Sequence, residues 1–410
     1  MNKQRTLTSI LCAVLAAVFF AGCRKPAPQE TSTETAYDPR TDPLVNPPSL
    51  FAEPKDISEV DTQGTLFLQL DGNPNTLNPL FVSSAYDFTV VDTLYAAPFT
   101  FDKDMHWMLN DDMTESLTES DDHTTFTLKI KPGLSWHDGQ PVTAHDIVYS
   151  WRQILDPKVP CQTQKPTVEP IKECVAIDDL TVKYVQPEPL ATRYWNLLFP
   201  IIPRHIFEKD KENHPDLKTG DYYNAQSRMP VGNGPYRIVE WKENDKVIVE
   251  RWDDYKGEKP YFKRIVFRII PDNKMALLTF EKGRIHAIEQ LSAQQFARET
   301  NTASFAKVGY KAWASQWLFA YIGWNMDGSN PFFADKRVRT AMTHSLNIPL
   351  ILDKVYYNLA TPCHGVYHPD SWMYNPQVKL LDYDLETVSY THLRAHETSL
   401  HLVCRLLLEK

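Results

Sequence analysis

LKIKPGLSWHDGQPVTAHDIVYSWRQILDP, residues 128–157, is the stretch on which the fold turns. Its start belongs to TTFTLKI, residues 124–130, where apolar and polar side chains alternate as they do in a half-buried strand. Lys131, Pro132 and Gly133 close that strand, and after Trp136 a His137-Asp138-Gly139 turn reverses the chain. Thr143 then stands where a helix N-cap belongs, with Asp146 three residues on, near the positive end of the helix dipole. Ile147, Val148, Trp151, Ile154 and Leu155 recur at helical spacing, so one face of that helix is apolar. Strand, tight turn and amphipathic helix in thirty residues imply a mixed α and β architecture.

Outward from this stretch the same alternation predicts strands at 64–70, 181–185, 246–251 and 264–270, and an extended aromatic strand at 315–325. Helices are expected at 88–95, at 273–280 ending near Gly283, and at 337–356 with an interruption near Pro349. Residues 71–80, DGNPNTLNPL, are dense in turn formers, and the glycines of 231–239 suit a tight backbone crossing before a strand. No internal repeat is visible. Strands and helices with long irregular joins fit an α/β or α+β protein of several lobes.

The N-terminus reads as an export signal. Lys3 and Arg5 precede an apolar run over 11–20, which ends in Ala21, Gly22 and Cys23. Small residues before a cysteine are the pattern of a bacterial lipoprotein signal, which would be cleaved after residue 22 and leave Cys23 lipidated; the alternative is an ordinary signal with an incidental cysteine. Residues 23–60 are rich in Pro, Thr, Glu and Asp and poor in large apolar groups, so a flexible linker is expected there. At the other end the character changes at residue 387: TVSYTHLRAHETSLHLVCRLLLEK, 387–410, reads either as a terminal amphipathic helix, with Leu400, Val403 and Leu407 on one face, or as a foreign tail. The foreign reading is preferred.

Composition narrows the function. Hydrophobic residues make up 42% and aromatic ones 12%, enough for large cores, and a net charge of −9 argues against nucleic acid as a partner. No phosphate-binding loop, nucleophile elbow, zinc-protease helix or dinucleotide fingerprint occurs, and the carboxylates present have no evident orienting partners, so no enzyme is expected. His137 in its turn and His145 near a helix start are poor candidates as metal ligands. Cys363, His364 and His368 form a softer cluster, whose spacing matches no standard zinc site. Of the six cysteines, Cys161 and Cys174 stand close together in a Pro-rich excursion, where an exported protein favours a disulfide over two free buried thiols, and Cys363 has no evident partner.

Four segments together carry a resemblance: 128–157, already quoted; GNGPYRIVEWKENDKVIVERWDDYKGEKPY, 232–261; IVFRIIPDNKMALLTFEKGRI, 265–285; and NPFFADKRVRTAMTHSLN, 330–347. In their order and spacing they resemble the bacterial extracellular solute-binding proteins of family 5, the oligopeptide and dipeptide binders of ABC importers. The resemblance covers about 62–385. It departs from the family at His286-Ala287, which is expected to be a minor surface matter. It implies a two-lobed periplasmic-binding-protein fold of the class II, three-domain type: domain I at 61–82 and 205–318, domain II at 83–204, and a partial domain III at 319–386, leaving the second lobe incomplete.

The resemblance also implies a mechanism in which two lobes close about a hinge around a peptide gripped through its backbone, with side chains in roomy hydrated pockets. It places ligand contacts at Ser83, Ser84 and Ala85, after the Leu77-Asn78-Pro79 turn, and at Tyr321, Gly323 and Asn325, on the strand entering domain III. Trp317 is a further candidate as an aromatic wall, with core packing the alternative for it and for Tyr321. The family's amine-pairing aspartate falls beyond residue 410. The expectation is therefore an exported, lipid-anchored monomer facing the periplasm or exterior, which delivers peptides to an ABC permease and needs no cofactor. Nickel, haem or sugar binding, a secreted hydrolase and a structural envelope lipoprotein are the competing readings.

Overall fold

The computed structural model describes residues 37–48, 61, 63–102, 106–213, 228–314, 319–329, 331–363, 365–379 and 381–394. The signal peptide, Cys23, Trp317, His364 and residues 395–410 lie outside the described residues. Two compact units are formed. The larger comprises Pro48–Ser292 and Ala303–Gly309; the smaller comprises Met1–Pro47, Ala293–Thr302 and Tyr310–Lys410.

In the larger unit the order is β1 (Thr65–Leu70), α1 (Ala85–Leu94), β2 (Phe99–Phe101), β3 (Trp107–Leu109), β4 (Thr114–Glu119), β5 (Thr125–Ile130), α2 (Ala144–Leu155), α3 (Lys165–Val168), β6 (Glu173–Ala176), β7 (Thr181–Val185), α4 (Arg204–Asn213), β8 (Tyr236–Lys242), β9 (Lys246–Arg251), β10 (Arg264–Ile269) and α5 (Asn273–Glu281). One sheet runs β1-β10-β9-β8, with β1 parallel to β10 and the other pairs antiparallel. A second, antiparallel sheet runs β4-β5-β7-β6, and β2 pairs with β3.

Each sheet builds its own core. On β5, Phe126, Leu128 and Ile130 share a face and are fully buried, together with Val182 and Tyr184 of β7 and with Ile147 and Ile154 of α2. In the first sheet Val247 and Val249 of β9 meet Leu70, Ile265, Phe267 and Ile269, and α1 contributes Val90, Val91 and Leu94. β10 buries successive residues 265–267, as a strand covered on both faces must. At roughly 25 cal/mol per Å² of apolar surface, such cores are the main favourable contribution to stability.

The start of α2 is fixed as its sequence suggested. The Thr143 amide donates to the Asp146 carboxylate at 2.8 Å, and the other carboxylate oxygen accepts from the Arg204 amide at 2.9 Å. Ser150 Oγ donates to the Asp146 carbonyl and accepts from the Ile202 amide, so the start of α4 is tied to α2.

The smaller unit contains a π-helical turn at Gln295–Glu299 and the helices α6 (Pro331–Ala334), α7 (Lys336–His344), α8 (Ile348–Lys354) and α9 (Leu385–Arg394). The helix expected over 337–356 is thus divided, with Asn347 capping α8 by accepting from the Leu350 amide just ahead of Pro349. α9 begins before residue 387 and continues into the segment read as a foreign tail.

Three expectations need correction. Cys161 and Cys174 are free and buried rather than bridged: the Cys161 thiol donates to the Leu80 carbonyl, and both sulfurs belong to the core of the second sheet. Residues 37–48 are not a free linker. Lys311, with a fully buried side chain, pairs with Asp42 and donates to the Phe296 carbonyl, while Tyr37 donates to Asp42 at 2.7 Å. Asn46 then exchanges two hydrogen bonds with the Trp313 backbone, and Val45 bridges to Lys311. Residues 319–326 are irregular rather than a strand, because no described residue pairs with them and an extended chain becomes a strand only with a neighbour to complete the ladder. His286 and Ala287 are exposed, as expected of a surface departure, and their backbone bridges to β1. The His286 amide donates to Phe67 O at 2.7 Å, the Gln69 amide to Ala287 O at 3.3 Å, and the His286 ring meets Phe67 edge-on.

Candidate ligand-binding site

The loop carrying Ser83, Ser84 and Ala85 is held from beneath by one carboxylate. Asp87 is fully buried and accepts from the amides of Asn75, Thr76, Ser83 and Ser84, at 2.7, 3.4, 3.3 and 3.2 Å. Ser84 Oγ accepts the Asp87 amide in return, a capping box that starts α1. The amides of Ser83 and Ser84 are therefore committed inward, while the side chains of Ser83 and Ala85 are exposed. Sequence reasoning passed over Asp87, although Ser84 followed by an acid three residues on was a visible signal.

The far end of α1 is fixed by the two glycine-rich motifs of the sequence, which clasp each other. His137 Nε2 lies 3.0 Å from Gly234 O, and the Gly232 amide donates to His137 Nδ1 at 3.2 Å. This pairing requires the neutral ring with its proton on Nε2. Burial pushes the His137 pKa down to about 4. Asn233 hydrogen-bonds both the amide and the carbonyl of Ala96, at 3.0 Å each, and Gly234 donates to Leu94 O at 2.9 Å. A Cβ at position 232 would lie 2.0 Å from Leu94 O, so only glycine permits that approach. His137 thus acts as a structural clasp, with both ring nitrogens taken up by backbone groups. The half-buried His145 lies 3.4 Å from Asp179.

Between these two fixed ends, the flank of α1 opens on a cavity of about 230 Å³. Phe88, Val91, Asp92 and Tyr95 recur along that flank at helical spacing, and Phe101 and Leu198 stand among the residues that complete the lining. Among the described residues Asp92 is the only charged one of the lining, and desolvation raises its pKa above the usual carboxylate value.

The remaining candidates belong to the smaller unit. Tyr321 is 78% exposed, so it is not core packing, and it lies near Phe319 with ring centroids 5.7 Å apart. Gly323 is exposed, and Asn325 uses its side-chain oxygen to accept from the Asp327 amide in a local turn. The Cys363 thiol donates to Gly365 O, His368 sits 3.6 Å from Asp370, and the described residues contain no group of three or more side chains able to hold a metal ion. No helix of the described residues is long and apolar enough to cross a membrane.

A mixed α/β chain with two sheet cores, joined by a strand-turn-His-Asp-Gly-helix stretch clasped to a Gly-Asn-Gly turn, is the architecture of a periplasmic binding protein. The chain belongs to the bacterial extracellular solute-binding proteins, family 5, whose middle-region pattern matches residues 109–388, more than half of its length. It is 26% identical over 343 residues to the oligopeptide-binding protein AppA of Bacillus subtilis (strain 168), covering 82% of this chain and 58% of that protein. The structure of the same AppA in complex with a nonapeptide superposes with a TM-score of 0.68 at 23% identity, covering 82% of this chain and 65% of that one. DppA of Helicobacter pylori in complex with the peptide STSA gives 0.68 at 18% identity, covering 81% and 66%. At these identities the two structures share the fold. This chain spans less than two thirds of the length of each.

Proposed function

We propose that this chain is the substrate-binding component of an ABC importer, capturing oligopeptides or dipeptides outside the membrane for delivery to a permease. Membership of family 5 over residues 109–388 carries the proposal, and the relation to AppA, named as an oligopeptide-binding protein, favours peptides over other solutes. The local geometry supports it. The loop at 83–85 stands on a buried carboxylate, and the exposed residues Tyr321, Gly323 and Asn325 offer backbone and aromatic surface of the kind that grips an extended peptide. Binding without catalysis belongs to the same reading and is supported by membership of a solute-binding family.

The remaining parts of the reading belong to the same proposal. The chain is exported by its N-terminal signal, held at the membrane through lipid on Cys23, and acts as a monomer. Incorporation of labelled palmitate that disappears in Cys23→Ala tests the anchor. The binding function is tested by thermal unfolding of the purified protein against a panel of di- to nonapeptides. A concentration-dependent rise in Tm, with the peptides recovered uncleaved, is expected. Peptide cleavage, or stabilisation by nickel, haem or a sugar with none by any peptide, would overturn it.

A further inference from the structure

Composition makes the whole of 23–60 a free linker, yet part of it is built into the smaller unit. Residues 37–46 lie against Lys311 and Trp313. Val45 bridges in parallel to Lys311, with the Lys311 amide donating to Leu44 O and the Asn46 amide to Lys311 O, both at 2.8 Å. Asn46 extends the pairing with its side chain: Nδ2 donates to Trp313 O at 2.6 Å, and Oδ1 accepts from the Trp313 amide at 2.8 Å. The Arg40 guanidinium lies over the Trp313 ring, 5.8 Å from its centroid.

A closed polar network locks this segment in place. Lys311 Nζ donates to Asp42, to Phe296 O at 2.9 Å and to Tyr37 OH at 3.2 Å, which takes up its three hydrogens. Asp42 also accepts from Tyr37 OH at 2.7 Å and from the Leu44 amide at 2.9 Å. The Tyr37 ring meets Phe296 edge-on, and the Lys311 and Asp42 side chains are 0% and 3% exposed. Apolar contact alone would let the segment slide. Here a slip of one residue strands a buried charge, so the network fixes register as well as attachment.

We propose that 37–46 is a docked strap, which fixes the point where the chain to the membrane leaves the fold, so that the lipid anchor holds the smaller unit through residues 24–36 alone. This rests on the reading of Cys23 as the lipidated residue. Tyr37 stands fourteen residues beyond Cys23, and at roughly 3.3–3.6 Å per residue that length reaches about 50 Å at most. A linker free as far as the first residue of β1, Thr65, would have 42 residues and reach about 150 Å at most. The strap therefore cuts the greatest distance from the membrane to about a third. Residues 47–64 join the strap to β1 and add nothing to that distance.

The test inserts about twenty Gly-Ser residues on one side of the strap or the other, after Thr33 or after Lys55. The unaltered lipoprotein and the two variants are bound to phosphatidylcholine bilayers, and neutron reflectometry reads the distance of the protein layer from the bilayer. Thermal unfolding confirms that the variants are folded. The insertion after Thr33 should move the layer outward by on the order of 10 Å, the added root-mean-square length of such a chain, and the insertion after Lys55 should leave it in place. In a second measurement, on the unaltered protein, the amides of Asn46 and Lys311 should be protected from hydrogen exchange. Equal shifts from both insertions, no shift from the insertion after Thr33, or unprotected amides at 46 and 311 would overturn the strap while leaving the anchor intact. A lipoprotein that forms no layer on the bilayer would overturn the anchor, and the role of the strap with it.

Discussion

The two units solve the same problem in opposite ways. The larger surrounds two sheets with apolar side chains and ties its buried carboxylates, Asp87 and Asp146, to backbone amides. The smaller buries an ion pair, Lys311 with Asp42, while α7 and α8 bury no side chain at all and Leu350, Val355 and Trp372 remain 45%, 58% and 63% exposed. Apolar burial is non-directional and tolerant, whereas a buried ion pair holds only while both partners are present. The difference teaches that stability in one unit is spread over many contacts and in the other is concentrated in a polar knot.

The contrast can be broken most sharply at its apolar end. Trp136→Ala should remove about 3–5 kcal/mol by emptying a fully buried site, whereas Leu350→Ala should stay within about 0.5 kcal/mol. Denaturant unfolding of both variants checks this, and equal losses would erase the distinction. At the polar end, Lys311→Met strands Asp42 and should cost the smaller unit about 3–5 kcal/mol. Amide exchange across 37–46 would report that loss, and adding Asp42→Leu should restore most of it.

A smaller effect comes from pH. The folded pKa of His137, about 4, lies below the ordinary histidine value of 6.5. The unfolded chain therefore binds more protons between these values, and stability falls as pH drops from 6.5 towards 4. The loss is at most of order 3 kcal/mol, and it should be absent in His137→Phe, whose ring fills the same space without titrating. Smallest of all, Asp272→Ala removes the carboxylate that accepts the Met275 amide at 2.8 Å and should cost about 1 kcal/mol in α5.

Much of the larger unit was legible because its strands alternate and its helices carry caps. The strands at 181–185 and 246–251 have the bounds their alternation indicates, and α2 starts where Thr143 and Asp146 place it. β4, TESLTE, was not found because an edge strand with one apolar residue carries no alternation to detect. The polar knot was invisible for another reason: Asp42 and Lys311 lie far apart in sequence, and neither residue type announces burial. At the candidate site, the loop at 83–85 came from family resemblance, Asp87 carried a capping signal that went unread, and the Phe88–Asp92 flank needed the fold to show which way each side chain points. The clasp of His137 with Gly232 and Gly234 left no mark in the sequence, because it joins segments nearly a hundred residues apart.

The most direct check on peptide capture is native mass spectrometry of the protein purified without denaturation and then titrated with a mixture of di- to nonapeptides. Adducts at peptide masses, lost on gentle activation and released as intact peptides, are expected. A protein that stays bare across the whole mixture yet takes up a different solute from the same host extract would contradict the proposal.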